Sequence, residues 1–303
     1  MPGAEELARK HYEAGVRLRR RTERATQAIW RRAMSVRNLD VSWLSAGPAI
    51  LNAVTLAQLA AARDADAYTD RVLTQMDIDN DAAGTVNPRM LAGVASDGRD
   101  LGSLLYSAVT STKTAIGRGA TESRALLTGQ ASLRLLVGTQ VMDAQRVADG
   151  VATTARPHAG GYVRMLSVPS CARCVILAGR FYRWSSGFNR HPLCDCVHVP
   201  ASENVAGDLR TDPELYFRRL SESEQNKVFG KDGAQAIRDG ADISKVVNAR
   251  RGIYSAGGKR LTREGTARGS QRGTIRPMPE QIYQDATSRQ DAIRLLRRFG
   301  YII

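Results

Sequence analysis

From Ala4 to about Val36, apolar or small residues recur at Ala4, Leu7, His11, Ala14, Leu18, Ala25, Ile29 and Ala33, three or four apart. That spacing predicts an amphipathic helix. A second helix is predicted from Pro48, a residue suited to a first helical turn, to about Met76, with Ile50, Val54, Ala57, Ala61, Ala65, Tyr68 and Val72 on one side. Further helices are predicted over Asp100 to Ile116 and Thr121 to Ala155. The latter carries Arg124, Leu127, Ala131, Leu135, Gly138, Met142, Gln145 and Ala148 at helical spacing and is stopped by Pro157. Residues 1–157 therefore read as a helical scaffold or docking region with no concentration of catalytic residue types.

After Gly160-Gly161 the period shortens. Tyr162 to Leu166 and Gly179 to Trp184 suit short strands, and Cys194 to Val199 alternates so that Cys194, Cys196 and His198 share a face. Asp212-Pro213-Glu214 opens a short helix, with Asp as cap and Pro in the first turn. Others are predicted over Glu222 to Phe229, Gly233 to Asp239 and Ile243 to Ala249. Much of Arg250 to Arg276 is Gly, Ser, Thr, Lys and Arg without periodicity, which predicts an extended basic arm. Pro279 to Phe299 reads as one basic helix with Ile282, Ala286, Ile293 and Leu296 inward. The expected fold is α+β: a mostly helical N-terminal half (1–157), a small Cys-rich α+β domain (158–248), and a basic, partly extended C-terminal arm and helix (249–303).

Aromatics make up only 6% of the 303 residues, and the apolar share rests on Ala, Leu and Val, which favours helix over a large sheet. The formal net charge of +14 argues for a polyanionic neighbour, nucleic acid before membrane. Two stretches concentrate the charge. One is Arg17, Arg19, Arg20, Arg21, Arg24, Arg31, Arg32 and Arg37, either a phosphate- or acid-binding face or a solvated face balanced by Glu13 and Glu23. The other runs from Lys245 to the end, with 13 Lys and Arg against four acids. Its candidate DNA contacts are Arg250, Arg251, Lys259, Arg260, Arg263, Arg268 and Arg272. The N-terminus lacks the layout of a signal peptide, and no stretch reads as a membrane span, so a soluble, cytosolically made chain is expected.

All four cysteines fall between Pro169 and Pro200, as Cys171-Ala-Arg-Cys174 and His191-Pro-Leu-Cys194-Asp-Cys196. Paired cysteines of a cytosolic chain are metal ligands more often than disulfides. Cys171 and Cys174 can aim two sulfurs at one ion from a turn, and His191, Cys194 and Cys196 can complete a tetrahedral zinc set. Cys171, Cys174, His191 and Cys194 form the first choice, with Cys196 able to replace one of them. Such a closed structural site would add about 10 kcal/mol or more to folding. Buried thiols acting as small hydrophobes, or a disulfide, are the alternatives. A hydrolytic zinc would need a nearby carboxylate, and Asp195 should face away from its neighbours on a strand. Two other motifs fail on inspection. Asp77-Ile-Asp79-Asn-Asp81 lacks the Gly and Glu of a calcium loop, having Ala82 and Pro88 there. Gly257-Gly258-Lys259 has Ile253 and Arg260 where a phosphate loop needs Gly and Ser or Thr.

The run Cys171-Ala-Arg-Cys174-Val-Ile-Leu-Ala-Gly179-Arg-Phe-Tyr, followed by Arg190-His191-Pro192-Leu-Cys194-Asp-Cys196 and Val199-Pro200, resembles the Mu F-like minor head proteins of tailed bacteriophages. There a Cys-x-x-Cys, an apolar stretch ending in Gly, and His-Pro-x-Cys-x-Cys-x-x-x-Pro recur together. Phe229-Gly230, Ala236-Ile237, Gly240-Ala-Asp242, Val247-Asn-Ala-Arg250 and Glu264-Gly-Thr are similar to members from actinobacterial phages. The resemblance implies a low-copy virion protein of head morphogenesis in the capsid interior, with the portal and major capsid proteins as partners and non-specific contact to packaged DNA. The family's conserved positions map onto Cys171, Cys174, His191, Cys194 and Cys196. No catalytic constellation accompanies them, so a non-enzymatic role is expected. The rival is a zinc- or cysteine-dependent enzyme acting on nucleic acid or protein during head maturation.

Overall fold

Helix α1 (Ala4–Ala33) turns Ala4, Ala8, His11, Gly15, Thr22, Thr26 and Trp30 inward, one continuous stripe at 3.6-residue spacing. Two of those positions are hydroxyls: Thr22 donates to the Leu18 carbonyl and Thr26 to the Thr22 carbonyl, so neither needs an external partner. Ala14, Ala25 and Ala33, expected inside, are exposed. This computed structural model describes residues 3–166, 170–186, 196–204, 212–264 and 276–302. It has the α+β class expected, mostly helical in its N-terminal half with two small antiparallel sheets.

The helix expected from Pro48 begins earlier and ends sooner. Helix α2 spans Leu39–Ala62 and α3 spans Ala65–Gln75, with the break at Arg63-Asp64. Pro48 sits inside α2 on its exposed side, next to the exposed Leu44, where the carbonyl left without a donor can meet water. The run Val36–Gln75 has a mean hydropathy of 1.3 in its most apolar window, which by length and composition alone meets the measure of a membrane span, as the core helix of a soluble protein also can. In the fold its apolar side has protein partners: Ile50 and Val54 pack with Trp30, Leu101, Leu105, Leu133 and Val137.

Helices α4 (Leu101–Gly117) and α5 (Glu122–Thr154) are capped by Asp100 and Thr121, whose side chains accept from Ser103 N and Arg124 N. On α5 the buried seam is Ala125, Gly129, Leu133, Val137, Val141, Ala144, Ala148 and Ala152. Leu127 and Leu135, expected inward, are 63% and 41% exposed. The seam follows small residues because the helices approach closely: a Cβ on Gly129 would lie 2.7 Å from Trp30 Cζ2 and 2.8 Å from the Ala108 carbonyl.

Strands β1 (Gly161–Met165), β2 (Phe181–Arg183) and β3 (Val197–Ala201) form an antiparallel sheet in the order β2-β1-β3. Met165, Val197 and Val199 pack with Ala4, Ala8, Tyr68 and Val72. By compactness these elements, residues 1–165 and 180–209, form one unit, and 166–179 with 210–303 form a second.

In the second unit, α6 (Ala172–Leu177) places Val175 and Ile176 in a core with Tyr216 and Phe217 of α7 (Pro213–Arg219), Phe229 of α8 (Glu222–Phe229), Ala234 of α9 (Lys231–Arg238), and Ile243 and Val247 of α10 (Ile243–Ala249). Ser221 and Glu224 close a capping box on α8. The expected extended arm is in part a hairpin: β4 (Ile253–Ala256) and β5 (Lys259–Thr262) turn at Gly257-Gly258, both at positive φ, and β6 (Arg276–Pro277) pairs with β5. The terminal segment is two helices, α11 (Pro279–Asp285) and α12 (Arg289–Arg298), not one. Ser288 caps the second by accepting from Asp291 N.

Candidate functional site

Cys171 is the N-cap of α6, and its sulfur accepts from the Cys174 N–H at 3.4 Å. The two sulfurs stand 3.4 Å apart. Two thiolates on one tetrahedral zinc, at about 2.3 Å each, would stand roughly 3.8 Å apart, so a small opening of this turn would admit the ion. Cys174 is buried and Cys171 partly so. Cys196 belongs to the other unit, directly before β3, where it is buried and its carbonyl accepts from Arg146 Nε at 3.3 Å. His191 and Cys194 lie outside the described residues. Among the described residues no three His, Cys, Asp or Glu side chains converge as a metal site. The structure therefore brings together half of the expected ligand set. His198, expected on the face of Cys196, stacks on Tyr162 with ring centroids 4.3 Å apart.

The candidate DNA contacts of the C-terminal unit are largely engaged inside it. Arg250 donates to the Phe229 carbonyl at 2.7 Å and to Glu280 at 3.2 Å. Arg251 stands 4.0 Å from Glu264, Lys259 pairs with Asp285 at 3.1 Å, and the Arg263 guanidinium lies 5.2 Å from the Tyr254 ring centroid. Arg260 is exposed; its backbone N–H donates to Gln281. Arg268 and Arg272 lie outside the described residues. Arg276, not singled out in the sequence, is buried: it donates to the carbonyls of Phe299 and Glu264, both at 2.9 Å, over the face of Tyr301.

A polar cluster that the sequence did not reveal sits in the helical unit. His11 Nε2 is 3.0 Å from Asp149, its Nδ1 is 3.5 Å from Asp64, and its ring stacks on Tyr68 at 3.9 Å. Tyr68 donates to the His198 carbonyl, and Gln145 to the His11 carbonyl. Burial works against the imidazolium, but Asp149 and Asp64 outweigh it and raise the His11 pKa to about 9. Burial pushes Asp149 up while His11 and Arg146 pull it back. Asp64, half-exposed, is held low by its hydrogen bond from His11 and by Arg71. The shifts of His11 and Asp149 point the same way, yet the 3.0 Å contact, with Asp64 as a second carboxylate, favours a protonated His11 as the stable form. The available signal was a histidine inside an apolar stripe; its partner lies 138 residues away. Its geometry is that of a buried structural tie between α1, α3 and α5.

No family model, curated protein or solved structure matches this chain.

Proposed function

We propose that the chain is a low-copy minor head protein of a tailed bacteriophage, of the Mu F-like kind, seated in the capsid interior against the portal and major capsid proteins and touching packaged DNA without sequence preference. Its role is architectural and not enzymatic. The observation that supports this reading best is the Cys171–Cys174 turn, with its sulfurs 3.4 Å apart and the following Val175 and Ile176 set into an apolar core. Such a turn suits a structural zinc with Cys171 and Cys174 as two ligands. His191, Cys194 and Cys196 are the candidates for the rest. In that role the metal would tie down chain and take no part in chemistry.

The test is the location of the chain in purified particles, combined with metal analysis of the soluble protein. The reading expects a few copies per particle at one vertex and one zinc per chain. Cys194→Ser should then cost metal and soluble protein together. A chain absent from particles would sink the head assignment. A Cys194→Ser protein that keeps fold and metal but loses a turnover would favour the maturation enzyme instead.

A further inference from the structure

Between Arg17 and Arg32 the sequence has seven arginines, no lysine and a single acid, Glu23. Glu23 is occupied by Arg19 at 3.4 Å, and Arg17 has only a long contact, 3.8 Å, to Glu13. Arg20, Arg21, Arg24, Arg31 and Arg32 are exposed, and among the described residues none pairs with an acid. At 100° per residue, Arg17, Arg20, Arg21, Arg24 and Arg31 fall within an arc of about 100° opposite the buried stripe of α1. Arg31 and Arg32 also offset the helix dipole in the last turn, so Arg17 to Arg24 carry most of the case. A groove flanking this face is lined by Gln27 of α1 and by Leu127, Gln130, Ala131, Arg134 and Leu135 of α5.

We infer that this outer face of α1 is a binding surface for the sugar-phosphate backbone of a nucleic acid. From Arg17 to Arg31 the helix rises about 21 Å, at 1.5 Å per residue. That length spans about six phosphates of one duplex strand at 3.4 Å each, close to the number of guanidiniums presented. A guanidinium fork engages phosphate oxygens in pairs, and a helix of arginines without base-reading contacts gives register-free binding. Between Arg24 and Arg31 the residues nearest this side of the helix are Ala25, Gln27 and Ala28, while Thr26 and Trp30 turn inward. The arginine arc itself thus presents no aromatic or large aliphatic anchor of the kind on which protein partners dock; the exposed Leu127 and Leu135 of α5 lie in the groove beside it, not on it. It also has no apolar wedge for a bilayer, because the apolar side of α1 is used inside the bundle. The inference rests on the DNA contact in the proposed function, not on the location at the portal, and it moves that contact from the C-terminal segment to α1.

The experiment measures binding of the full chain to a 30-base-pair duplex by fluorescence anisotropy between 50 and 200 mM salt, roughly the range over which phosphate contacts are read out. Five phosphate contacts predict about a 500-fold loss of affinity across that range, and an Arg20→Gln, Arg24→Gln, Arg31→Gln variant should lose only about 10-fold, at a slope of about −0.9 per contact. A Lys259→Gln, Arg260→Gln, Arg268→Gln, Arg272→Gln variant should keep the steep slope. Circular dichroism checks that both variants are folded. If the α1 variant keeps the steep slope and the C-terminal one loses it, the inference is overturned and the contact returns to the C-terminal segment. Equal slopes in all three proteins overturn it as well. No binding at the lowest salt overturns both the inference and the DNA contact, leaving the portal location to its own test. Competition by polyglutamate as effective as by DNA would overturn it in favour of an acidic protein partner.

Discussion

The outer face of α1 and the segment from Arg250 to the C-terminus are both rich in arginine, and they use it in opposite ways. In the C-terminal unit several guanidiniums serve the fold, although Arg260 and Arg297 are exposed and make no ion pair among the described residues. Arg250 closes onto Phe229 and Glu280, Arg289 onto Asp239 at 2.7 Å, and Arg276 is buried among carbonyls. On α1 the same residue type points outward, with almost no acids in reach. Charge density along a sequence therefore locates cations without saying which are available to a partner. Availability depends on acids and carbonyls brought close by folding, and Glu280 is 30 residues from Arg250.

The largest effect that would break this contrast lies at Arg276. Replacing it by Met keeps most of the side-chain volume but leaves the part-buried Phe299 and Glu264 carbonyl contacts without their donor. The expected loss is about 3 kcal/mol of unfolding free energy in urea, because two hydrogen bonds from a charged donor are lost at about 1.5 kcal/mol each. DNA affinity at low salt should be unchanged in the folded fraction. A variant as stable as the parent would show that this arginine is not engaged in the way the geometry implies.

The inward side of α1 gives the next effect, and it depends on pH. His11 has a folded pKa of about 9 against an ordinary 6.5, so its contribution to stability is fully present below pH 6.5 and is lost as pH rises through 9. Asp149, Asp64 and Arg146 are the charged groups around it, with Tyr68 stacked on the ring. The shift corresponds to about 3 kcal/mol, for a side chain nearly inaccessible to solvent. Urea unfolding at pH 6.5 and 9.5 should show that loss in the parent and not in His11→Gln. Parallel pH profiles would mean that His11 is neutral in the fold.

Legibility followed the range of the interaction. One cap and several local periods were readable: Asp212 caps α7, α4 and α5 begin within a residue of their expected starts, and α8 spans the expected Glu222–Phe229. The expected α5 stripe holds in its second half, where Gly138, Met142, Gln145 and Ala148 are buried, and fails in its first, where close contact at Gly129 with Trp30 and Ala108 selects the small-residue side over Leu127 and Leu135. Pro48 misled in a similar way, since a proline at the start of a helix and one tolerated on its wet side look alike in sequence. Of the candidate metal site, the Cys171–Cys174 turn was readable because its geometry is local. The His11–Asp149 tie was not, because nothing short-range joins its halves.

The smallest effect on stability should come from the α1 arginines themselves, and it separates the two uses of arginine most directly. Arg20, Arg24 and Arg31 make no ion pair among the described residues, and they protrude from the far side of a helix whose other side is packed. Exposed substitutions of this kind change stability by no more than about 0.5 kcal/mol each. Glutamine keeps most of the helix propensity of arginine and removes repulsion between neighbouring turns, which salt otherwise screens. The triple Gln variant should therefore melt close to the parent, because the repulsion relieved at Arg20 and Arg24 offsets the helix-end interaction lost at Arg31. A clear drop in melting temperature would mean that these side chains hold the fold, as Arg276 does, and the contrast between the two regions would collapse.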